Sequence, residues 1–148
     1  MRVIFPVLHA PVGQPRPRVT TIGGHARMYE APKGHAIHAF KRAVTAAGYE
    51  HWKHGPQDLP FAVRILFVMP RPKAKVWKTK PMPRYMHTGR PDLDNLAKGV
   101  LDALQGDVIW KEDSQVVRLS LAKVVASGAE PPHVLIDVEC GDIEEGAE

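Results

Sequence analysis

A chain of 148 residues with 44% hydrophobic and 24% charged side chains has room for one domain with a proper core and too little for two ordinary ones. The composition is that of a globular protein, which excludes disordered and fibrous classes. No apolar run approaches the roughly 18–20 residues that span a bilayer, and the opening Met1-Arg2-Val3-Ile4-Phe5-Pro6 is too short for a signal-peptide core. A single cysteine, Cys140, excludes an intrachain disulfide and a cysteine-built zinc cluster. The expectation is one cytoplasmic domain over residues 1–148. The net charge of +4 hides a polarity: residues 1–91 hold 16 Lys and Arg against 3 acids, and residues 92–148 hold 4 against 13. Such a basic region suits a polyanion, because each phosphate neutralised by Lys or Arg releases condensed counterions. A solvated basic face is the plain alternative.

In chain order, residues 3–9 predict a short strand, and residues 10–17, with Pro11, Gly13, Pro15 and Pro17, predict a loop. From Gly34 the spacing of Ile37, Phe40 and Val44 predicts an amphipathic helix, with Gly48 as its stop. His35 and His38 are a close pair on that helix without a third ligand, which favours packing or surface roles over metal binding. Residues 61–69 predict a buried strand that ends at Pro70. Residues 71–91 carry four prolines and seven Lys or Arg without one acid, an exposed basic loop. Leu93, Leu96, Ala97, Val100, Leu101 and Leu104 make one apolar stripe of a helix that Gly106 ends, with Asp92 where an N-cap belongs. Residues 115–125 and 133–139 predict two strands, and the Ser-Gly and Pro-Pro pairs between them suit a hairpin connection. The acidic end, residues 141–148, reads as frayed. The fold class is therefore α+β, a small mixed β-sheet with packed helices in the order β-α-β-α-β-β.

The chemistry concentrates in Arg90-Pro91-Asp92-Leu93-Asp94-Asn95-Leu96-Ala97-Lys98. Asp92 at the cap and Asp94 in the first turn can aim both carboxylates at one point, because the backbone changes from extended to helical between them. Lys98 lies one turn below Asp94 on the polar face. Asp113 becomes a third carboxylate if the strand after it lies beside the helix start. A few carboxylates plus water and phosphate oxygens are what Mg²⁺ takes in phosphoryl-transfer sites. In that reading Asp92, Asp94 and Asp113 are metal ligands, and Lys98 binds the scissile phosphate or orients the nucleophile. Alone, Asp-x-Asp more often caps a helix and complements its dipole, with Lys98 as an ion-pair partner. The basic, proline-rich approach shifts the balance by setting a phosphate guide beside the acids.

Pro-Asp-Leu-Asp-Asn-Leu-x-Lys at 91–98, then Leu-Asp-Ala-Leu at 101–104 and Asp-Ser-Gln-Val at 113–116, resembles the signature of the RusA family of Holliday-junction resolvases. The close match covers about residues 90–118, and the Gly13 to Arg18 loop with the strand-helix-strand order extends it over most of the chain. The resemblance implies a homodimer that uses Mg²⁺, with Mn²⁺ as a substitute, to make paired nicks in four-way DNA during recombination and repair. It carries catalytic roles onto Asp92, Asp94, Lys98 and Asp113. Glu112 stands where some relatives have a second aspartate, and the basic loop is longer than in the most compact relatives. Another nuclease pattern, an acid two residues before a lysine, fails because Ile109 and Leu121 precede Lys111 and Lys123.

For DNA, the sequence nominates Arg16 and Arg18 in the first loop and Arg71, Lys73, Lys75, Lys78, Lys80, Arg84 and Arg90 in the second. Trp77 and Tyr85, interleaved with those cations, suit stacking on exposed bases at a branch point, and packing or dimer contacts equally. Asp102 reads as an exposed partner of Lys98, and Trp110 as a core or interface anchor. A branched-DNA nuclease acting on forks or flaps, and a non-catalytic DNA-binding protein, stay open as alternatives.

Overall fold

The elements run β1 (Arg2–Val7), β2 (Arg18–Ile22), β3 (His25–Tyr29), α1 (Ala36–His51), β4 (Phe61–Met69), β5 (Tyr85–Met86), α2 (Leu93–Leu104), β6 (Val116–Val125) and β7 (His133–Cys140) in the computed structural model. It describes residues 1–15, 18–29 and 31–143; the tail expected to fray therefore lies outside the described residues from 144 onward. The fold is α+β, with a five-stranded mixed sheet in the order β1-β7-β4-β6-β5 and a separate β2–β3 pair.

The strand with the longest apolar run takes the centre. β4 is buried at six of its nine residues, so it needs partners on both edges, and it has β7 antiparallel on one side and β6 parallel on the other. This overturns the expected hairpin between the last two strands. β6 and β7 are separated by β4, and the intervening turn spans two strand spacings, roughly 9–10 Å. Three further strands were not legible as strands: β2 and β3 form a hairpin that turns on Gly23 and Gly24 at φ 59° and 81°, and two-residue β5 pairs with the end of β6.

Both helices contribute to one core with the strands, around Phe5, Phe40, Phe61, Ile65, Phe67, Leu96, Leu104, Trp110 and Ile136. Full burial of each such side chain is worth about 1.5–3 kcal/mol. α1 passes through Gly48, the expected stop, to His51. The reason is packing: a Cβ on Gly48 would lie 2.7 Å from both Leu104 and Val108, so the glycine marks a close approach of chain segments and not a helix end. His35 is the cap of α1, its Nδ1 accepting from the Ile37 N–H at 3.0 Å, and His38 Nε2 bonds to the Pro32 carbonyl at 2.9 Å. The pair is engaged locally. α2 ends at Leu104 as expected, with Gly106 at φ 89° just beyond. Among the described residues no helix is long and apolar enough to cross a membrane.

Candidate functional site at the start of α2

Asp92 is the N-cap of α2 in extended conformation, yet its side chain makes no cap hydrogen bond. Its carboxylate is exposed and not committed to the task that Asp-x-Asp most often performs. Asp94 is exposed in the first turn. These are hard oxygen donors at the positive end of a helix, and they suit Mg²⁺, which takes one or two carboxylates and keeps positions for water and phosphate.

Further along α2 a second acidic group forms. Lys98 Nζ donates to Asp102 Oδ1 at 3.2 Å, as the sequence led us to expect, and Lys41 Nζ stands 3.6 Å from Asp102 Oδ2. Asp102 is less open than expected, its side chain only 22% exposed. Asp113 lies beside it. Burial pushes the Asp113 carboxyl above the usual range, the Trp110 indole donating to Oδ1 at 3.0 Å opposes this, and the charge and hydrogen bond of the Asp102 carboxyl raise it again, with Lys98 opposing. Ten residues of helix separate Asp92 from Asp102, about 15 Å at 1.5 Å per residue. Among the described residues no three His, Cys, Asp or Glu side chains gather as a metal cage. The structure brings Asp113 to Asp102 and Lys98, with Asp94 one helical turn above Lys98 and Asp92 at the helix start.

The strand direction explains this. β6 does run beside α2, but the end next to the helix start is the far one: Lys123 Nζ donates to the carbonyls of Gly89 at 2.6 Å and Pro91 at 2.8 Å. Glu112 is engaged in a reciprocal capping pair with Gln115 at the 3₁₀ turn Asp113–Gln115. Trp110 is fully buried in the core.

A cleft of about 650 Å³ opens at the start of α2, between residues 11–15 on one side and Arg90, Pro91 and Asp92 on the other, with His35 and Asn95 on its wall. Gly13 sets its width, since a Cβ there would lie 2.6 Å from Pro91 Cβ, and the Gln14 N–H donates to the Asn95 carbonyl at 3.0 Å. Among the described residues Gln14 Oε1 is buried without a hydrogen-bond partner.

The basic loop is built, not loose. The Arg71 guanidinium donates to the carbonyls of Lys75, Pro83 and Ala126 at 2.6, 2.9 and 3.3 Å. Arg84 grips Glu130 through two bonds of 2.8 and 2.6 Å, which holds the Glu130 carboxyl down at about 2. Met82 packs on Gly128, where a Cβ would lie 2.3 Å from Met82 Cε. Lys73 and Lys75 bound a 3₁₀ turn; with Lys78, Lys80 and Arg90 they are exposed. Arg16 and the Arg18 side chain lie outside the described residues, Arg18 contributing only its backbone to β2.

The family described as Endodeoxyribonuclease RusA matches residues 9–139. The chain belongs to the RusA endodeoxyribonuclease family. That membership makes it a nuclease, a hydrolase of DNA phosphodiester bonds. A protein of Bacillus subtilis (strain 168), "Uncharacterized protein YqaN", is 34% identical over 124 residues, covering 80% of this chain and 84% of that protein.

Several residues of this RusA-family site escaped the sequence. Lys123 carried one signal: β6 places Leu119, Leu121 and Lys123 in register with buried Val63, Ile65 and Phe67, so a lysine among apolar positions implies something to reach. Gly13 and Gln14 sat in a segment read only as irregular. Lys41 gave no signal, because its partner Asp102 is distant in sequence.

Proposed function

We propose that this chain is a Mg²⁺-dependent, structure-specific endodeoxyribonuclease that resolves Holliday junctions by paired nicks in DNA recombination and repair, with Mn²⁺ as a substitute metal. The observation that carries the reading is Asp92: an exposed carboxylate at a helix N-terminus, not engaged in capping, on the wall of a cleft that also holds Arg90. Asp92 and Asp94 would hold the metal, with Asp113 as the further acid of the site. When bound, the metal supplies a nucleophile at neutral pH and stabilises charge on the phosphate.

The chain's own groups do the rest. Arg90 and the exposed lysines of residues 71–91 draw the DNA backbone toward the cleft. Lys98 meets the scissile phosphate, its ammonium steadied by Asp102 at 3.2 Å. Lys123 holds the carbonyls of Gly89 and Pro91 and so fixes the approach from which Asp92 projects. Two matched nicks in a near-symmetric junction suit two sites related by a two-fold axis, hence a homodimer.

Asp92→Asn and Asp94→Asn are expected to abolish nicking of a four-way junction, by a hundredfold or more on the order of other electrostatic deletions, while junction binding in EDTA persists. Undiminished Mg²⁺-dependent nicking in both variants sinks the assignment. A fork, a flap and a linear duplex run beside the junction test the substrate. Preference for a flap or fork would redirect the reading, and DNA binding without product under any metal would make the chain a binding protein.

A further inference from the structure

We propose that Trp77 and Tyr85 form a stacking pocket for one unpaired DNA base at the branch point, a reading that rests on the assignment as a nuclease for branched DNA. The three tryptophans behave differently: Trp52 and Trp110 are 2% and 0% exposed, whereas Trp77 is 36% exposed and neighbouring Tyr85 39%. A large aromatic ring left in water within a basic loop costs free energy unless it is covered in use.

The two rings are arranged before any ligand arrives. The Arg71 guanidinium carbon lies 5.3 Å from the centroid of Trp77 and 5.5 Å from that of Tyr85, and three backbone carbonyls fix the guanidinium itself. Lys80 Nζ stands 5.6 Å from the Trp77 centroid. With Lys75 and Pro83 the rings line a cavity of about 240 Å³. Its rings are apolar and its surroundings cationic, and residues 71–91 contain no acid. The carboxylate that pairs with this loop, Glu130, is already neutralised by Arg84.

A flat aromatic face joined to an anion is the chemistry that fits, and a nucleotide base on its phosphate supplies both. Paired bases in a duplex hide their faces in the stack, so only an unpaired base can enter. A second copy of this chain is disfavoured, since the same cationic loop facing itself across a two-fold axis repels.

Trp77 is the exposed tryptophan, so its emission reports on the pocket without any substitution. In EDTA, where no hydrolysis occurs, the full-length protein is titrated with a four-way junction, an unpaired oligothymidylate and a linear duplex. We expect quenching by the first two and little by the duplex. Trp77→Leu should lower junction affinity about tenfold and duplex affinity by less than about twofold, Trp77→Phe should restore most of the loss, and Tyr85→Leu should repeat the pattern independently. Equal losses on junction and duplex, or no quenching by unpaired DNA, overturn the pocket. Dissociation of a dimer in Trp77→Leu on sedimentation overturns it too, by making the ring a contact between copies. Mg²⁺-dependent nicking that survives Asp92→Asn with the quenching intact would instead remove the metal assignment and leave the pocket standing.

Discussion

The basic loop of residues 71–91 and the acid-bearing start of α2 are joined end to end, and they treat their charges in opposite ways. In the loop, two of the three arginines turn inward: Arg71 binds backbone carbonyls and Arg84 binds Glu130. At the helix start, Asp92 occupies the position where a carboxylate ordinarily turns back on the backbone, and it does not. A count of cations therefore overstates what the loop offers to DNA, and the commonest role of Asp-x-Asp understates what α2 offers to a cation. Where a charge sits in the sequence says less than which backbone groups lie within its reach.

The sharpest way to break the comparison is to move the helix start without touching an acid. Gly13→Ala places a Cβ 2.6 Å from Pro91 Cβ, and both atoms belong to short, backbone-anchored segments that cannot swing aside. We expect the approach to Asp92 to shift by a fraction of an ångström or more, and misplacement on that scale costs about a hundredfold in the chemical step. Single-turnover nicking of a four-way junction measures it. A wild-type rate would mean that the cleft wall does not set the position of Asp92.

Much of this was legible beforehand. The apolar stripe of α2, its stop at Gly106, the buried run that became β4 and the Lys98–Asp102 pair all follow from periodicities of a few residues, which a sequence displays directly. Strand order does not: β6 and β7 are neighbours in the chain, and only the demand of β4 for two partners separates them. Where Asp113 sits along α2 was not legible for the same reason, since it depends on which end of β6 meets which end of α2. Gly48 shows the limit at a single residue, for a stop and a packing notch are spelled with the same letter.

Gly48 also supplies the next prediction. Gly48→Ala improves helix propensity by about 1 kcal/mol, but the new Cβ meets Leu104 and Val108, both buried, and overpacking of that kind costs about 1–3 kcal/mol. The branched Val108 side chain cannot yield by rotating a far end, so we expect net destabilisation, seen as a lower urea midpoint with an unchanged slope. A gain in stability would mean that the two helices can separate at this point.

Acid should unfasten the loop before it touches the core. Glu130 is held at about 2 against an ordinary 4.5, first by the Arg84 hydrogen bond, with burial opposing. A carboxyl depressed by folding stabilises above its unfolded value and loses that contribution as pH falls through the folded one. The fastening should thus be complete above pH 4.5, weaken below it and be largely gone near 2. Trp77 emission followed down in pH, against Glu130→Gln as a titration-free control, checks it. An identical transition in the control would assign the change to another group.

The smallest effect separates the two kinds of cation within the loop. Each phosphate contact contributes about 0.9 to the slope of log affinity against log salt. Lys78→Ala, at an exposed position, should weaken DNA binding a few-fold and flatten that slope by up to about 0.9. Arg84→Ala also lowers the local charge by one, leaving the Glu130 carboxylate unpaired, but it takes away no donor that faces solvent phosphate. Its guanidinium is bidentate to that carboxylate and cannot present the same donors to a phosphate. We therefore expect the Arg84 variant to loosen the turn at residues 126–132 while leaving the salt slope near the wild-type value. Equal slopes lost in both variants would show that Arg84 leaves Glu130 when DNA arrives, and that the inward-turned arginine is a reserve contact for the phosphate backbone.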